Sequence, residues 1–226
     1  MLRERDGDLA EFLKNDPKGR EIPAYLEGLA EQCLADQQQV LTELDSLRKN
    51  INHIKDIVAL QQRYGRLSGG REAVSVSELV ENALQINAGT LDRHRIKIQS
   101  DFQADPTVTL EKHKVLQILV NLIRNAKYAC DEGGRPEKLL IVRITGDSER
   151  ARIAIIDNGA GISPENLTHI FTYGFTTRKD GHGFGLHSAA LTAKELGGTL
   201  SVQSDGPGQG ATFVLEIPYQ PPGAAL

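Results

Sequence analysis

Cysteine is nearly absent from this chain: Cys33 and Cys130 are the two in 226 residues. They sit far apart within helical patterns, with no metal-ligand neighbour at useful spacing. That excludes a disulfide framework and a thiolate metal site, and predicts buried, reduced thiols. Basic residues are not in excess either. Lys and Arg number 26 against 30 Asp and Glu, interspersed, for a net charge of −4. No basic face is therefore available, and no nucleic-acid partner is expected. No apolar run approaches the ~20 residues that span a bilayer, and no secretory pattern opens the chain. These absences predict a soluble, cytoplasmic chain and leave a membrane-associated parent protein open. Internal repeats and low-complexity segments are missing too, and no further upstream domain is recognisable. What is present, 39% apolar residues over this length, supports one or two domains with a substantial core.

The first domain reads as helical, over residues 1–64. A short helix at 6–15 is stopped by Asp16-Pro17-Lys18-Gly19. From Pro23 to Tyr64 there is no Gly except Gly28 and no internal Pro. Apolar residues recur at Leu26, Leu29, Cys33, Val40, Leu44, Leu47, Ile51, Ile54 and Val58, a heptad seam interrupted at Gln37. Leu34, Leu41, Ile57 and Leu60 widen the stripe. A lone helix cannot hide such a stripe, so it predicts a partner helix, most simply that of a homodimer. Gly65, Ser68, Gly69 and Gly70 mark a hinge, taken as residues 65–74. The pattern then turns to mixed α+β over 75–220. It predicts helices at 76–93, 111–131 and 186–196, and strands at 96–102, 139–145, 152–156, 199–203 and 212–217. Residues 218–226 read as a frayed end, with 221–226 as a tail.

Within that second domain, three stretches carry chemistry. On helix 111–131, His113, Gln117, Asn121 and Asn125 recur every four residues and share a stripe beside the apolar face. A row of surface amides would look the same. An amide oxygen, however, can ligate Mg²⁺ without adding charge, with a triphosphate supplying further ligands, which makes Asn125 a candidate metal ligand. Asp157 ends an Ile-rich strand and is either an ordinary turn residue or an acceptor for the exocyclic amine of adenine. In the second case Ile162 walls the pocket, and Gly159 and Gly161 let backbone approach the base. Gly181, Gly183 and Gly185 precede a helix whose backbone N–H groups and dipole suit phosphate oxygens. Arg178 and Lys179 either neutralise phosphate charge or belong to a solvated loop.

The combination is more specific than its parts. Asn121-Leu-Ile-Arg-Asn125-Ala-Lys-Tyr-Ala129, Asp157-Asn-Gly-Ala-Gly161-Ile162, Phe171-Thr-Tyr-Gly-Phe175-Thr-Thr and Gly181-His-Gly-Phe-Gly185-Leu186-His187 occur in that order. They resemble the N, G1, F and G2 boxes of the GHKL ATP-binding family, which includes gyrase, heat-shock chaperones, mismatch-repair ATPases and histidine kinases. The F box and short lid resemble those of two-component sensor histidine kinases. The resemblance covers roughly residues 75–218. It implies a two-layer α/β sandwich that binds ATP with Mg²⁺, with Phe175 and Leu186 in the nucleotide site and Thr212 backing the adenine-binding aspartate. It also implies a homodimer through the N-terminal helices, and a response-regulator receiver domain as the protein partner.

Family members that activate water or a hydroxyl usually carry a glutamate four residues before the metal-ligating asparagine. Asn121 stands in that place here, and an amide cannot serve as a general base. A neutral imidazole already exposes a lone pair, so Asn121 fits transfer to histidine better than hydrolysis. Of six histidines only His53 lies on the long helix. It flanks seam residue Ile54, and Asp56 three residues on can hold its other ring N–H. His53 is thus the expected phosphoacceptor, with Asp56 and Asn121 assisting. Two features depart from the family pattern. Ile54 replaces the acidic residue that usually follows the acceptor, and the span from His53 to Ser75 is too short for a second long hairpin helix. The rival readings are an ATP-binding dimeric scaffold or regulator phosphatase without autokinase activity, and a gyrase-type ATP-gated clamp.

Overall fold

The computed structural model describes residues 9–64, 70–178, 181 and 183–219; the side chains of 9, 10, 45, 46, 49, 50 and 52–64 are outside that description. The chain divides into two compact units, Met1–Ile54 and Lys55–Leu226.

Proline loses no hydrogen bond at the first position of a helix, because the N–H there has no intrahelical partner. Pro17 takes that position in the long helix. Helix α1 (Leu9–Asn15) ends at Asp16, whose Oδ1 accepts from Lys18 N at 2.9 Å, and α2 (Pro17–Tyr64) begins at once. The long helix therefore starts six residues earlier than its seam suggests, with Pro23 inside it. At 48 residues it runs ~72 Å. Leu26, Leu29, Val40, Leu44, Leu47 and Ile51 are exposed along it. Cys33 is exposed as well, which corrects the expectation of two buried thiols; Cys130 is the buried one.

The second unit holds β1 (Glu72–Ser75), α3 (Val76–Arg93), β2 (Ile96–Phe102), β3 (Thr107–Leu110), α4 (Lys112–Glu132), β4 (Lys138–Gly146), β5 (Arg150–Asp157), α5 (Pro164–Leu167), α6 (Gly185–Glu195), β6 (Thr199–Gln203) and β7 (Ala211–Pro218). β1 pairs antiparallel with β3. The other strands form one sheet in the order β2-β4-β5-β7-β6, with β2 and β4 parallel and the remaining pairs antiparallel. Residues 72–74, expected as hinge, are thus strand; four-residue strands carry too little alternation to be read from sequence. The expected frayed end is also corrected at its start. Pro218 closes β7, and Tyr219 donates through Oη to the Asp147 carbonyl at 2.5 Å.

Alternate residues of β4, β5 and β7 point to one face: Leu140, Val142 and Ile144; Ile153, Ile155 and Asp157; Ala211, Phe213, Leu215 and Ile217. α4 packs on that face at β4 and β5, flanked by α3 and α6. Val115, Leu116, Leu119, Leu122, Ile123 and Ala126, the apolar face read from spacing, are all buried. Flanking on both sides also buries Ile118 and Val120, so more of α4's circumference is covered than a surface helix would show. The result is the two-layer α/β arrangement expected. No described helix is long and apolar enough to cross a membrane.

Candidate functional site

The residues of interest gather along one side of α4. His113, Gln117, Asn121 and Asn125 are all half-buried, neither core nor open surface. Asp157, last on β5, lies at 5% exposure on the sheet face that α4 covers. The turn after it is pinned to α4, since Ala160 N donates to the Ala129 carbonyl at 2.9 Å. A Cβ at Gly159 would overlap the backbone of Ala129 and Cys130. Four residues before Ala129, Asn125 Oδ1 accepts from an Arg178 Nη at 2.8 Å. Four residues earlier again, Asn121 meets the start of α6, where a Cβ on Gly185 would overlap its Oδ1. From Ala129 to Asn121 is ~12 Å of helix. The Asp157 turn, Asn125 and the α6 start are therefore arrayed in sequence on one helix.

The two ends of this array carry unsatisfied polar atoms. Asp157 Oδ1 accepts from Gly159 N at 2.9 Å, while its buried Oδ2 has no partner. Burial pushes the carboxyl up to about 6, against backbone N–H groups of Gly159 and Ala211 that favour its ionised form. Beside it the Cys130 thiol is pushed up to about 11, first by burial and then by the Asp157 charge, so it is not a nucleophile. At the other end Asn121 Nδ2 is buried without a partner. α6 begins there with no side-chain cap, leaving first-turn N–H groups oriented for an anion. A buried acceptor, a buried donor and an uncapped helix start fit a ligand with an amine at one end and phosphates at the other. Among the described residues no cluster of three His, Cys, Asp or Glu could hold a metal. A cation would depend on the Asn125 oxygen together with the ligand's own oxygens, which fits Mg²⁺ better than zinc.

The glycines also serve the fold itself: Gly159 makes room for α4, and Gly161, at φ +69°, lies against the Gly206 carbonyl. Gly183, at φ +70°, lies against Gly174, so the loop before α6 packs on the 171–175 turn. His187 Nδ1 lies 2.9 Å from the Phe171 carbonyl, and Tyr173 packs on Phe184 and edge-on to His187. Phe175 is half-buried near His169, and a Cβ at Gly181 would overlap Thr176 Oγ1. Ile162 and Leu186 pack on the core, and Ile162 N donates to Ser204 Oγ at 3.0 Å. Lys179 lies outside the described residues.

One assignment is overturned. Thr212 pairs with Ile156, and Ala211 pairs with Asp157. Residues directly opposite share a face and neighbours alternate. Thr212 therefore points to the sheet face opposite Asp157 and cannot back it; Ala211 holds that place. His53 and Asp56 both fall on α2, with side chains outside the described residues. Two supporting residues had escaped sequence reading. Asn158 Oδ1 accepts from Leu139 N at 2.9 Å and its Nδ2 donates to the Glu137 carbonyl at 2.8 Å, fixing the Asp157 turn to β4. Ser204 Oγ donates to the Gly210 carbonyl at 2.6 Å, holding the opposing loop. Both occupy turns next to glycine-rich segments, which was the one signal available.

The chain is similar to proteins of known family. Residues 110–221 match the family described as histidine kinase-, DNA gyrase B-, and HSP90-like ATPase. The chain is 31% identical over 150 residues to the sensor histidine kinase ZraS of Salmonella typhi, an alignment covering 65% of this chain and 31% of ZraS. It is 33% identical over 155 residues to the C4-dicarboxylate transport sensor protein DctS of Rhodobacter capsulatus, covering 67% of this chain and 23% of DctS. The chain thus spans a third or less of the length of these two relatives. Among solved structures, the catalytic domain of histidine kinase ThkA superposes with a TM-score of 0.58 at 22% identity, over 67% of this chain and 98% of ThkA's domain.

Proposed function

Because residues 110–221 form a domain of the histidine kinase-, DNA gyrase B-, and HSP90-like ATPase family, we propose that the chain is the core of a sensor histidine kinase that phosphorylates itself from Mg-ATP. The observation that supports this most is the unpartnered Asp157 Oδ2, buried at one end of an array whose other end is an uncapped helix start. Asp157 accepts from the adenine amine, with Ile162 beside it. The first-turn N–H groups of α6 and the loop of Gly181, Gly183 and Gly185 take the phosphates, and Arg178 adds positive charge. Leu186, packed on the core, and Phe175, whose backbone lies near Gly183, hold that loop. Magnesium, when bound at Asn125, neutralises phosphate charge as the γ-phosphoryl group leaves.

The acceptor is the free ring nitrogen of neutral His53, with Asp56 holding the other N–H. Its lone pair forms the N–P bond while the bond from the γ-phosphorus to the β–γ bridging oxygen breaks and ADP departs. The phosphoryl group then passes to an aspartate of a response-regulator receiver domain. Asn121 replaces a general base, and its half-buried amide beside Gly185 leaves water unactivated. The exposed apolar row of α2 is covered by the same helix of a second copy.

Incubation with ATP labelled at the γ-phosphate tests the proposal. Acid-labile, base-stable label should appear on the protein, and Asn125→Ala should reduce its rate by about a hundredfold, as expected for removing a metal ligand in phosphoryl transfer. Steady phosphate release without phosphoprotein would point to a gyrase-type hydrolase. Nucleotide binding with neither would leave the scaffold or phosphatase reading.

A further inference from the structure

Arg178 lies where a magnesium ion would have to go. Its guanidinium donates to Asn125 Oδ1 at 2.8 Å and stacks over the Tyr128 ring at 4.6 Å. Tyr128 is one position short of a turn beyond Asn125, so ring and amide form one cradle on α4 for the planar cation. We propose that Arg178 and a divalent cation exchange on Asn125 Oδ1, which makes Arg178 a residue that sets the balance between the metal-free and the metal-loaded nucleotide. The inference rests on the nucleotide reading above and adds to it a competition that the reading does not contain.

The competition is electrostatic. A cation ligated at ~2.1 Å and a guanidinium donating at ~2.8 Å to one oxygen would lie within ~5 Å of each other. Like charges at that distance repel even beside solvent, so each weakens the other's hold on the oxygen. The free protein uses the guanidinium to satisfy the amide oxygen. When the nucleotide arrives with a metal, the metal takes over that oxygen, and the released guanidinium is free to pair with phosphate oxygens. When it arrives without a metal, Arg178 can serve the phosphates only by leaving Asn125 without its partner. In both cases the guanidinium leaves Asn125 for the phosphates, but only with the metal present does it also face a second cation, so charge at residue 178 favours the bare nucleotide over the metal-loaded one. A phosphate ligand or a structural support would favour both.

Two equilibrium titrations of the whole chain separate these cases, comparing wild type with Arg178→Ala. The first measures ADP affinity with divalent ions chelated. The second measures the magnesium concentration that half-completes the metal-dependent rise in ADP affinity. Arg178→Ala should weaken metal-free ADP binding by about three- to tenfold, the loss of one charge-assisted contact, and should lower the magnesium midpoint by a similar factor. In the ligand-free protein the Asn125 side-chain amide resonance should move on the same substitution, and an unchanged melting temperature would confirm an intact fold. A magnesium midpoint that is unchanged or raised, or an Asn125 resonance that stays in place, overturns the exchange. If wild type binds ADP under neither condition, the nucleotide reading itself has failed. If it binds and only the midpoint disagrees, the exchange alone is wrong.

Discussion

Replacing His53 by glutamine is expected to remove acid-labile label from the protein altogether, to background and so by well over a hundredfold, while ATP binding stays within about twofold of wild type. Glutamine keeps the length and polarity of the side chain but has no lone pair nucleophilic enough to attack phosphorus at neutral pH. Three of the other histidines have polar partners, while His169 is exposed beside Phe175. His94 Nδ1 pairs with Asp131 at 2.7 Å, His113 lies 3.7 Å from Glu111, and His187 is tied to the Phe171 carbonyl. His53 alone occupies α2. Binding should survive because the residues proposed to contact adenine and phosphates all lie beyond 120. The check is label incorporation beside calorimetric ATP titration of the same preparation. Full labelling of the His53→Gln protein would assign the acceptor elsewhere and leave the nucleotide site untouched.

Asp157→Asn should lower ATP affinity by about a hundredfold or more and, at the same time, make the free protein more stable. Gly159 N already engages one oxygen of the carboxylate, so the other Asn atom at the pocket would be a donor facing the adenine amine. A charge-assisted hydrogen bond is lost and two donors are left opposed, a penalty of about 3 kcal/mol or more. The stability effect has the opposite sign. The Asp157 pKa is raised from 3.8 to about 6 on folding, so the folded state holds its proton more tightly than the unfolded one. The stability this confers is complete below about pH 4 and is lost as pH rises through about 6. At pH 7 the buried carboxylate therefore costs the free protein up to about 3 kcal/mol. An amide escapes that cost, less ~1 kcal/mol for an unpaired donor, so Asp157→Asn should melt ~4 to 8 °C higher at pH 7 and lose that advantage near pH 4. ATP affinity of the wild type should weaken below about pH 6, as Asp157 takes up a proton, whereas the residual affinity of Asp157→Asn should not show that step. Thermal melts and titrations at two pH values check both signs.

How much of this was legible beforehand depends on whether local pattern or distant pairing decides the outcome. α3, β2 and β6 begin and end where periodicity and punctuation placed them. Ser75 caps α3, accepting from Glu78 N. α4 was readable because six apolar positions fix its buried side, and the amide stripe follows from the same period. β1, β3 and α5 were not, since four residues hold barely one repeat of any pattern. Thr212 shows a sharper limit. Sequence places it on a strand beside the site, but a shift of one residue in pairing reverses every face, and the pairing of β5 with β7 is set by contacts far apart in the chain. The glycines are legible as positions that tolerate no side chain, whereas the atoms that approach them are not. Arg178 on Asn125 joins residues 53 apart, and nothing local forecasts it.

The most direct measurement is the backbone and side-chain amide spectrum of the full chain during titration with a non-hydrolysable ATP analogue and magnesium. Shifts should concentrate at Asn121 and Asn125, at Asp157 to Ile162, and from Gly183 to His187, saturating together at one affinity. Thr212 and the sheet face it lies on should stay still. Shifts that saturate separately at the Asn125 and Asp157 ends, or that fall mainly on the opposite face of the sheet, would show that these residues do not grip one nucleotide.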